Sequence, residues 1–470
     1  MLRDPRHRVL VPVVPRTGLW LPVLGCFAIA ALSLIETSSP TYDPWAWIIW
    51  GREVVHLDLD TMSGPSWKPL PVLLTAPFSL FGDSAAPALW LVVARAGSLG
   101  ALVVTYRLGT RLGGVAGGLL AALLLLASPW LVRNGLLGNS EGLLILFVVW
   151  AVERHVAGHH GQAFALGVAA GMLRPEAWPF IFLYALWLVW TDRRRLPWVA
   201  GGLLLLPLLW LLPEYWGSGD FWRAAERANT PNANSPAFAE RPSLAVLGNW
   251  VLLLTPPAWV GLAAAVVLGV RDRAWRRLGP AAGIALLAVA WLVLVALMTE
   301  GGYSGNSRYL LAPTALLYAV GGAGLARLAG ELVTTRPGRI GAGAVAVLAV
   351  AGSIIWAADR VPFMLRDVHF QAQIAHNLDV AVDRMGGREA ILDCGAPFTN
   401  KFLVPLVAWK LHVHGEQVLV EPAKGGSVML RARHSLLARA EPPLESLQGR
   451  PTHRFGTRTA LWRIETACGA

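Results

Sequence analysis

Charge is scarce in this chain: of 470 residues, 15% are charged and 55% hydrophobic. Soluble domains carry roughly a quarter charged residues, so the composition argues against a water-soluble protein. Cysteine is nearly absent, and three residues exclude a disulfide-dense scaffold. Cys26 falls in the first apolar run and reads as a core side chain. Cys394 and Cys468 each lie beside an expected strand near the end, where a disulfide between them is permitted in an oxidising compartment. Period-two alternation is missing from the apolar runs, for example residues 117–127 and 284–298. In lipid, backbone groups must be satisfied within the chain, by helices or by closed barrels. Without the alternation of barrel strands, helices remain.

What is abundant is arginine, with 40 Lys and Arg against 29 Asp and Glu. The basic residues cluster between apolar runs, the arrangement that orients membrane proteins, which argues against a nucleic-acid partner. Arg3, Arg6, Arg8 and Arg16 place the N terminus in the cytoplasm. An even number of crossings must separate successive basic clusters. The expected fold is therefore an all-α polytopic membrane protein with about eleven spans, over residues 19–35, 87–106, 115–127, 143–152, 163–173, 179–190, 196–212, 244–270, 281–298, 309–325 and 340–357. Residues 1–357 form the membrane domain, and residues 358–470 a small extracytoplasmic α/β domain. In the latter, strands are expected over 390–393, 418–420, 427–430 and 460–464, and helices over 368–385 and 401–411.

Spans four to six, and the third, are short against the ~20 residues that cross a bilayer. Each pair meets at a polar hairpin, Arg133 to Glu141 in one and Arg174-Pro175-Glu176 in the other. Charges at that depth face a wet cavity or a partner, so a polar cavity sunk into the outer leaflet is expected. The first outer loop, residues 36–85, should carry two interfacial helices, over 43–56 and 69–81, with Trp47 at headgroup level. The bilayer is thus the first partner, and the composition points to a bacterial plasma membrane.

The order of motifs resembles the GT-C superfamily, in the branch of bacterial aminoarabinose transferases and protein O-mannosyltransferases. The matching residues are Asp43 early in the first outer loop, Lys68-Pro69, Arg95-Ala96-Gly97-Ser98, Ser128-Pro129 closing the third span, and Glu141 opening the fourth. Ser307-Arg308-Tyr309-Leu310-Leu311-Ala312-Pro313 resembles the family's late Arg-Tyr-x-x-Pro segment, with one extra residue before the proline. The likeness covers about residues 1–357. Members often carry Asp-Glu at the first acidic site, whereas Asp43 here precedes Pro44, which weakens a metal-binding reading. Asp58-Leu59-Asp60 reads as a solvated pair, and no cofactor or divalent metal is expected to be required.

The resemblance implies a polyprenyl-phosphate-linked sugar donor, of mannose or arabinose type, and a glycan, lipid or protein acceptor. The residues suit that reaction. An acceptor hydroxyl is a poor nucleophile near neutral pH, so a carboxylate that takes its proton assists, and Asp43 is the candidate base, with inversion at the sugar. The leaving phosphate needs fixed cations, for which Lys68, Arg174 and Arg308 are the candidates. Tyr42, His56, Arg133, Glu141, Glu176 and Tyr309 complete the expected cavity. Structural readings stand beside these. Asp43 can cap the helix opening at Pro44, Lys68 can snorkel, Glu141 can bridge to Arg133, and Arg174 to Glu176. Arg95 can tie neighbouring helices, and Arg308 can anchor the interface. The alternative function is a transporter or lipid flippase, although related halves are not apparent.

Overall fold

The computed structural model describes residues 20–271, 275–332, 336–423, 426–447 and 456–467. The basic N-terminal cluster and Cys468 lie outside the described residues, while Cys394 is disulfide-bonded. Helix α1 (Trp20–Leu32) is followed by two helices in the long first loop, α2 (Tyr42–Val55) and α3 (Pro69–Thr75), the second extended by a 3-10 turn over Ala76–Phe81. Next come α4 (Ala85–Leu126), α5 (Pro129–Leu136), α6 (Glu141–Val156), α7 (His160–Gly171), α8 (Trp178–Thr191) and α9 (Leu196–Ser218). Then follow α10 (Arg223–Ala228), α11 (Pro242–Val251), α12 (Pro256–Arg271), α13 (Trp275–Glu300), α14 (Leu311–Leu332) and α15 (Arg336–Ala358).

Helix α4 is two antiparallel arms. Gly113 and Gly114 leave helical geometry, with Gly114 at φ 68°. A methyl group on Gly118 would sit 2.6 Å from the Tyr106 carbonyl oxygen. In a straight helix, at 1.5 Å rise per residue, those positions would be about 18 Å apart. The fold-back agrees with two separate spans around Arg107 and Arg111. At this turn Glu153, fully buried, meets Arg111 at 2.6 Å, Arg154 at 2.5 Å and Arg107 at 3.4 Å.

Helix α14 is the axle of the bundle, buried at every residue from Leu311 to Leu325. Small residues permit its close approach to its neighbours. A methyl group on Gly261 of α12 would lie 2.1 Å from the Gly321 oxygen, and one on Gly322 would lie 2.4 Å from the Ala121 nitrogen. Elsewhere large apolar side chains face outward, among them Trp190, Leu204, Val267, Leu286 and Ile355. Such a belt suits lipid rather than water, and the chain is a multi-pass membrane protein.

Among the described residues, four helices are long and apolar enough to cross a bilayer, or six if each of two bent pairs is one span. One pair, α11 and α12, is bent by 95°, where one straight span over 244–270 was expected. Pro256-Pro257 explains the break, because proline lacks an N–H and disfavours helix in the residue before it. Helices α6, α7 and α8 have 16, 12 and 14 residues, short as expected. Helix α9 runs past Pro213 to Ser218, beyond the expected end at 212.

The chain bends by 44° between α15 and α16 (Arg360–Arg384). Beyond it lie α17 (Gly387–Cys394), α18 (Val404–Leu411) and a four-stranded sheet. The strands are β1 (Ala396–Phe398), β2 (Ser427–Arg431), β3 (Gly456–Arg458) and β4 (Arg463–Ala467), in the order β1-β2-β4-β3. Strand β1 pairs parallel to β2, and the other pairings are antiparallel. The strand expected over 427–430 is present, and that over 460–464 is displaced to β4. Residues 390–393 are helical instead. Gly386 and Gly395, both at positive φ, delimit one short helix there, which buries Ile391 alone.

Candidate functional site

The first loop does not lie flat on the membrane. In α2, Trp45, Trp47 and Trp50 are all buried. They point to different sides of the helix, so a single apolar face towards lipid does not form. Trp47 meets Trp90 of α4 at 5.5 Å, and Trp45 meets Trp409 of α18 at 6.1 Å. Helix α2 is therefore wedged between the bundle and the C-terminal part, which corrects the interfacial expectation.

This wedge fixes Asp43. The helix starts at Tyr42 with Thr41 as its N-cap and no side-chain cap, so Asp43 is not used as a cap. Its Oδ2 lies 2.7 Å from Arg308 Nη2 and 3.8 Å from Lys68 Nζ. Lys68 and Arg174 are placed by the same device. Each precedes a proline that opens a helical turn, and each is held extended, at φ −141° and −148°, as the proline ring requires of its predecessor. Arg308 lies in a 3-10 turn whose Asn306 side chain accepts from the Arg308 backbone N–H at 3.1 Å. Glu141 opens α6, with Oε1 at 2.7 Å from Arg174 Nη2 and 3.8 Å from Arg308 Nε.

Five charged groups thus converge, with Asp43 at 7%, Lys68 at 6%, Arg174 at 4% and Glu141 at 1% exposure. Lys68 is too deep to snorkel, and its ammonium lies 4.8 Å over the Trp47 ring. Glu141 pairs with Arg174, not with Arg133. Arg133 instead grips Asp367 of α16, through Nε at 2.9 Å and Nη2 at 2.6 Å. Glu176 accepts from the Tyr303 hydroxyl at 2.7 Å, and the Arg174 guanidinium lies 4.1 Å from the Tyr309 ring centre. Arg95 keeps its structural reading, donating to Ser33 at 2.8 Å and to Ser38.

Tyr42, Asp43, Arg133 and Arg308 line one cavity of about 730 Å³, with Trp130, Phe363 and Met364 on its apolar side. Lys68, Arg174, Glu141, Glu176 and Tyr309 do not line this cavity but pack with one another or with Asp43 and Arg308 behind it, whereas His56 belongs to neither group: it is exposed at the end of α2, and its ring Nδ1 faces the Arg52 carbonyl. Two partners were missed, Asp367 and Tyr303. Tyr303 sat in an expected outer loop, a weak signal, and nothing local marked Asp367. Among the described residues no three His, Cys, Asp or Glu side chains gather in a metal-binding group.

The electrostatics follow from burial. Desolvation raises the Asp43 carboxyl, but Arg308, Lys68 and Arg174 outweigh it and hold it below the ordinary value. Burial, with Arg174 adding to it, pulls the Lys68 ammonium down to about 7, against the opposing pull of Asp43. Lys68 Nζ, Arg174 Nε and Arg308 Nε are buried donors with no hydrogen-bond partner, and Glu141 Oε2 and Glu176 Oε2 are buried acceptors with none. Of these groups Arg308 lines the cavity, so a ligand bringing an anionic oxygen there would satisfy its Nε and remove the cost of leaving it without a hydrogen bond.

No protein-family model and no curated protein matches this sequence. The structure of ArnT from Cupriavidus metallidurans bound to undecaprenyl phosphate is similar, with a TM-score of 0.58 and 12% identity over 96% of this chain and 98% of that one. The apo state of the same protein gives a TM-score of 0.57 and 14% identity over the same shares. The likeness spans both the helical bundle and the C-terminal part, and bears out the GT-C-like fold expected from the motif order.

Proposed function

We propose that this protein is a GT-C-type glycosyltransferase, transferring a sugar from a polyprenyl-phosphate donor to an acceptor hydroxyl with inversion. The observation that carries the reading is the buried cluster in which Asp43 faces three cations with donors left unpaired. In the reaction, the acceptor oxygen bonds to the anomeric carbon as the bond from that carbon to the phosphate oxygen breaks. Asp43 takes the hydroxyl proton, and the leaving electron pair stays on the phosphate. Arg308 is suited to couple the two events, since Nη2 holds Asp43 at 2.7 Å while Nε, 3.8 Å from Glu141, has no hydrogen-bond partner and can donate to phosphate. The Arg308 contact keeps Asp43 ionised, the form that accepts a proton. Lys68 and Arg174 add charge where the leaving group develops it. No metal enters this scheme.

An apolar cavity of about 650 Å³, lined by Ala177, Phe180, Ile181, Leu287 and Trp291 among others, begins one residue from Glu176. Its lining suits an isoprenoid tail. The undecaprenyl phosphate bound by ArnT supports a donor of this class. In this reading residues 1–357 hold the donor and the reacting groups, residues 358–470 close over them, and the site opens to the outside of a bacterial plasma membrane.

Asp43→Asn tests the reading. It should lower the rate of transfer by about 10²- to 10⁴-fold, the usual worth of a positioned base, and leave binding of undecaprenyl phosphate intact. Full activity in this variant removes Asp43 as the base.

A further inference from the structure

A third cavity, of about 1020 Å³, lies between the bundle and the C-terminal part. It shares Asn306 and Arg308 with the cavity that holds Asp43. A ligand filling it therefore ends at the guanidinium that grips the base. Three distant stretches build it, together with Asn249: residues 232–236, residues 304–309, and residues between 399 and 446 of the C-terminal part. The volume accommodates a ligand of several rings.

Its chemistry differs from that of the other two cavities. Asn232, Asn234, Asn249, Asn306 and Asn400 all line it, with Thr399 and four serines. An amide both donates and accepts, as does a sugar hydroxyl, so a wall of amides matches a polyhydroxylated ligand, and the charged lining residues, Arg308 and Lys401 against Glu421 and Glu441, balance in sign. Aromatic faces are present too. Phe402 and the His434 ring lie 4.6 Å apart, and Phe402 meets Tyr42, beside Asp43, edge-on at 6.0 Å. The apolar C–H face of a sugar ring packs on such surfaces by dispersion. His434 Nδ1 is buried there with no hydrogen-bond partner.

Other acceptors fit less well. A lipid acceptor needs a continuous apolar wall, and besides the Phe402 and Tyr309 rings the apolar side chains here are Ala233, Val420 and prolines, set among amides and charges. A peptide adding to the sheet needs a bare edge, but Leu419 already bridges β1 at Phe398.

We propose that this cleft is the acceptor subsite and that the acceptor is a neutral glycan, lying across Phe402 with one hydroxyl delivered to Asp43. The assignment rests on the glycosyl-transfer reading for the direction of reaction, while binding to the cleft stands by itself. Donor and acceptor then enter by separate doors, the donor from the bilayer and the glycan from water, and they meet at Arg308.

The test uses the full chain in nanodiscs with two probes, undecaprenyl phosphate and a panel of neutral pyranose and furanose oligosaccharides. Asn234→Trp and Val420→Trp fill the cleft from exposed positions, so at least one should fold. Each should weaken oligosaccharide binding at least about tenfold while changing undecaprenyl phosphate affinity by less than about twofold. Absence of oligosaccharide binding across the panel, or equal binding in both folded variants, overturns the proposal. So does displacement of the oligosaccharide by a lipid or a peptide acceptor in its place. Oligosaccharide binding without undecaprenyl phosphate binding would sink the donor reading and leave the cleft standing.

Discussion

Lys68 is the residue whose chemistry is most exposed to experiment. Its ammonium is buried, lacks a hydrogen bond, and is drawn down to about 7 by burial and by Arg174. Binding a phosphate would favour the charged form and raise that value. Binding therefore takes up a proton at pH above 7, and donor affinity should fall as pH rises from 7 to 9, by at most about tenfold per unit for one proton. A sugar-linked polyprenyl phosphate is the right probe, because it lacks the second phosphate ionisation near pH ~6 of a monoester. Lys68→Arg should flatten the profile, since guanidinium stays charged throughout. An unchanged profile in that variant would assign the titration elsewhere. For folding the sign is opposite. A Lys with a depressed folded value contributes stability above its unfolded value near 10.5 that is lost as pH falls towards 7, so the empty site is strained where the donor binds best.

At the scale of elements, the small-residue seam around α14 decides whether the bundle closes. Gly261 has no room for a side chain, because the Gly321 oxygen would lie 2.1 Å from the added methyl. Gly261→Val should destabilise the protein by more than about 3 kcal/mol, as backbone must move rather than a rotamer. Gly201→Val, on α9 with nothing within 4 Å, is the control and should stay within about 0.5 kcal/mol. Equal melting temperatures for the two variants would show that the seam is slack. This seam was hidden in the sequence, where Gly321, Gly322 and Gly324 read as ordinary span residues. Asp43, Lys68 and Arg308 were legible from the order of motifs, and Arg174 from a charged hairpin between two short apolar runs. Their partners were legible only in part. One reading of Glu141 bridged it to Arg133, 8 positions before it, but the contact made is with Arg174, 33 positions on. Asp367 reaches Arg133 across 234 positions, a pairing no local pattern encodes. The burial of α2 was missed because its partner, α18, comes from the far end of the chain.

For the whole molecule, the question is what keeps the C-terminal part seated on the bundle, since the acceptor cleft exists only between them. Besides the ring contacts of Trp45 and Tyr42, polar contacts hold it: Arg133 with Asp367, Arg52 over the Trp409 ring at 5.0 Å, His412 with Asp83 at 2.6 Å, His369 with Glu36, and a histidine clamp. In the clamp, His414 Nδ1 lies 2.8 Å from Glu53 and Nε2 lies 3.1 Å from Asp58. Burial raises the Glu53 carboxyl to about 7, despite hydrogen bonds from Asp60 and His414. At His414 burial lowers the imidazole, but Glu53 and the neighbouring aspartates outweigh it and raise it overall. Both groups thus hold protons more tightly when seated. A raised folded value contributes stability that is complete below the unfolded one and is lost as pH rises through the folded one. For Glu53 that window runs from 4.5 to about 7, and for His414 it begins at 6.5 and extends upward. The C-terminal part should consequently loosen as pH climbs from 6 to 8.5. Hydrogen exchange at residues 412–418, corrected for intrinsic rates, should show protection falling over that range. His414→Gln keeps a hydrogen-bond donor without a charge to titrate, and should remove most of the dependence. Protection that rises with pH, or an identical slope in His414→Gln, would mean that the clamp does not govern seating.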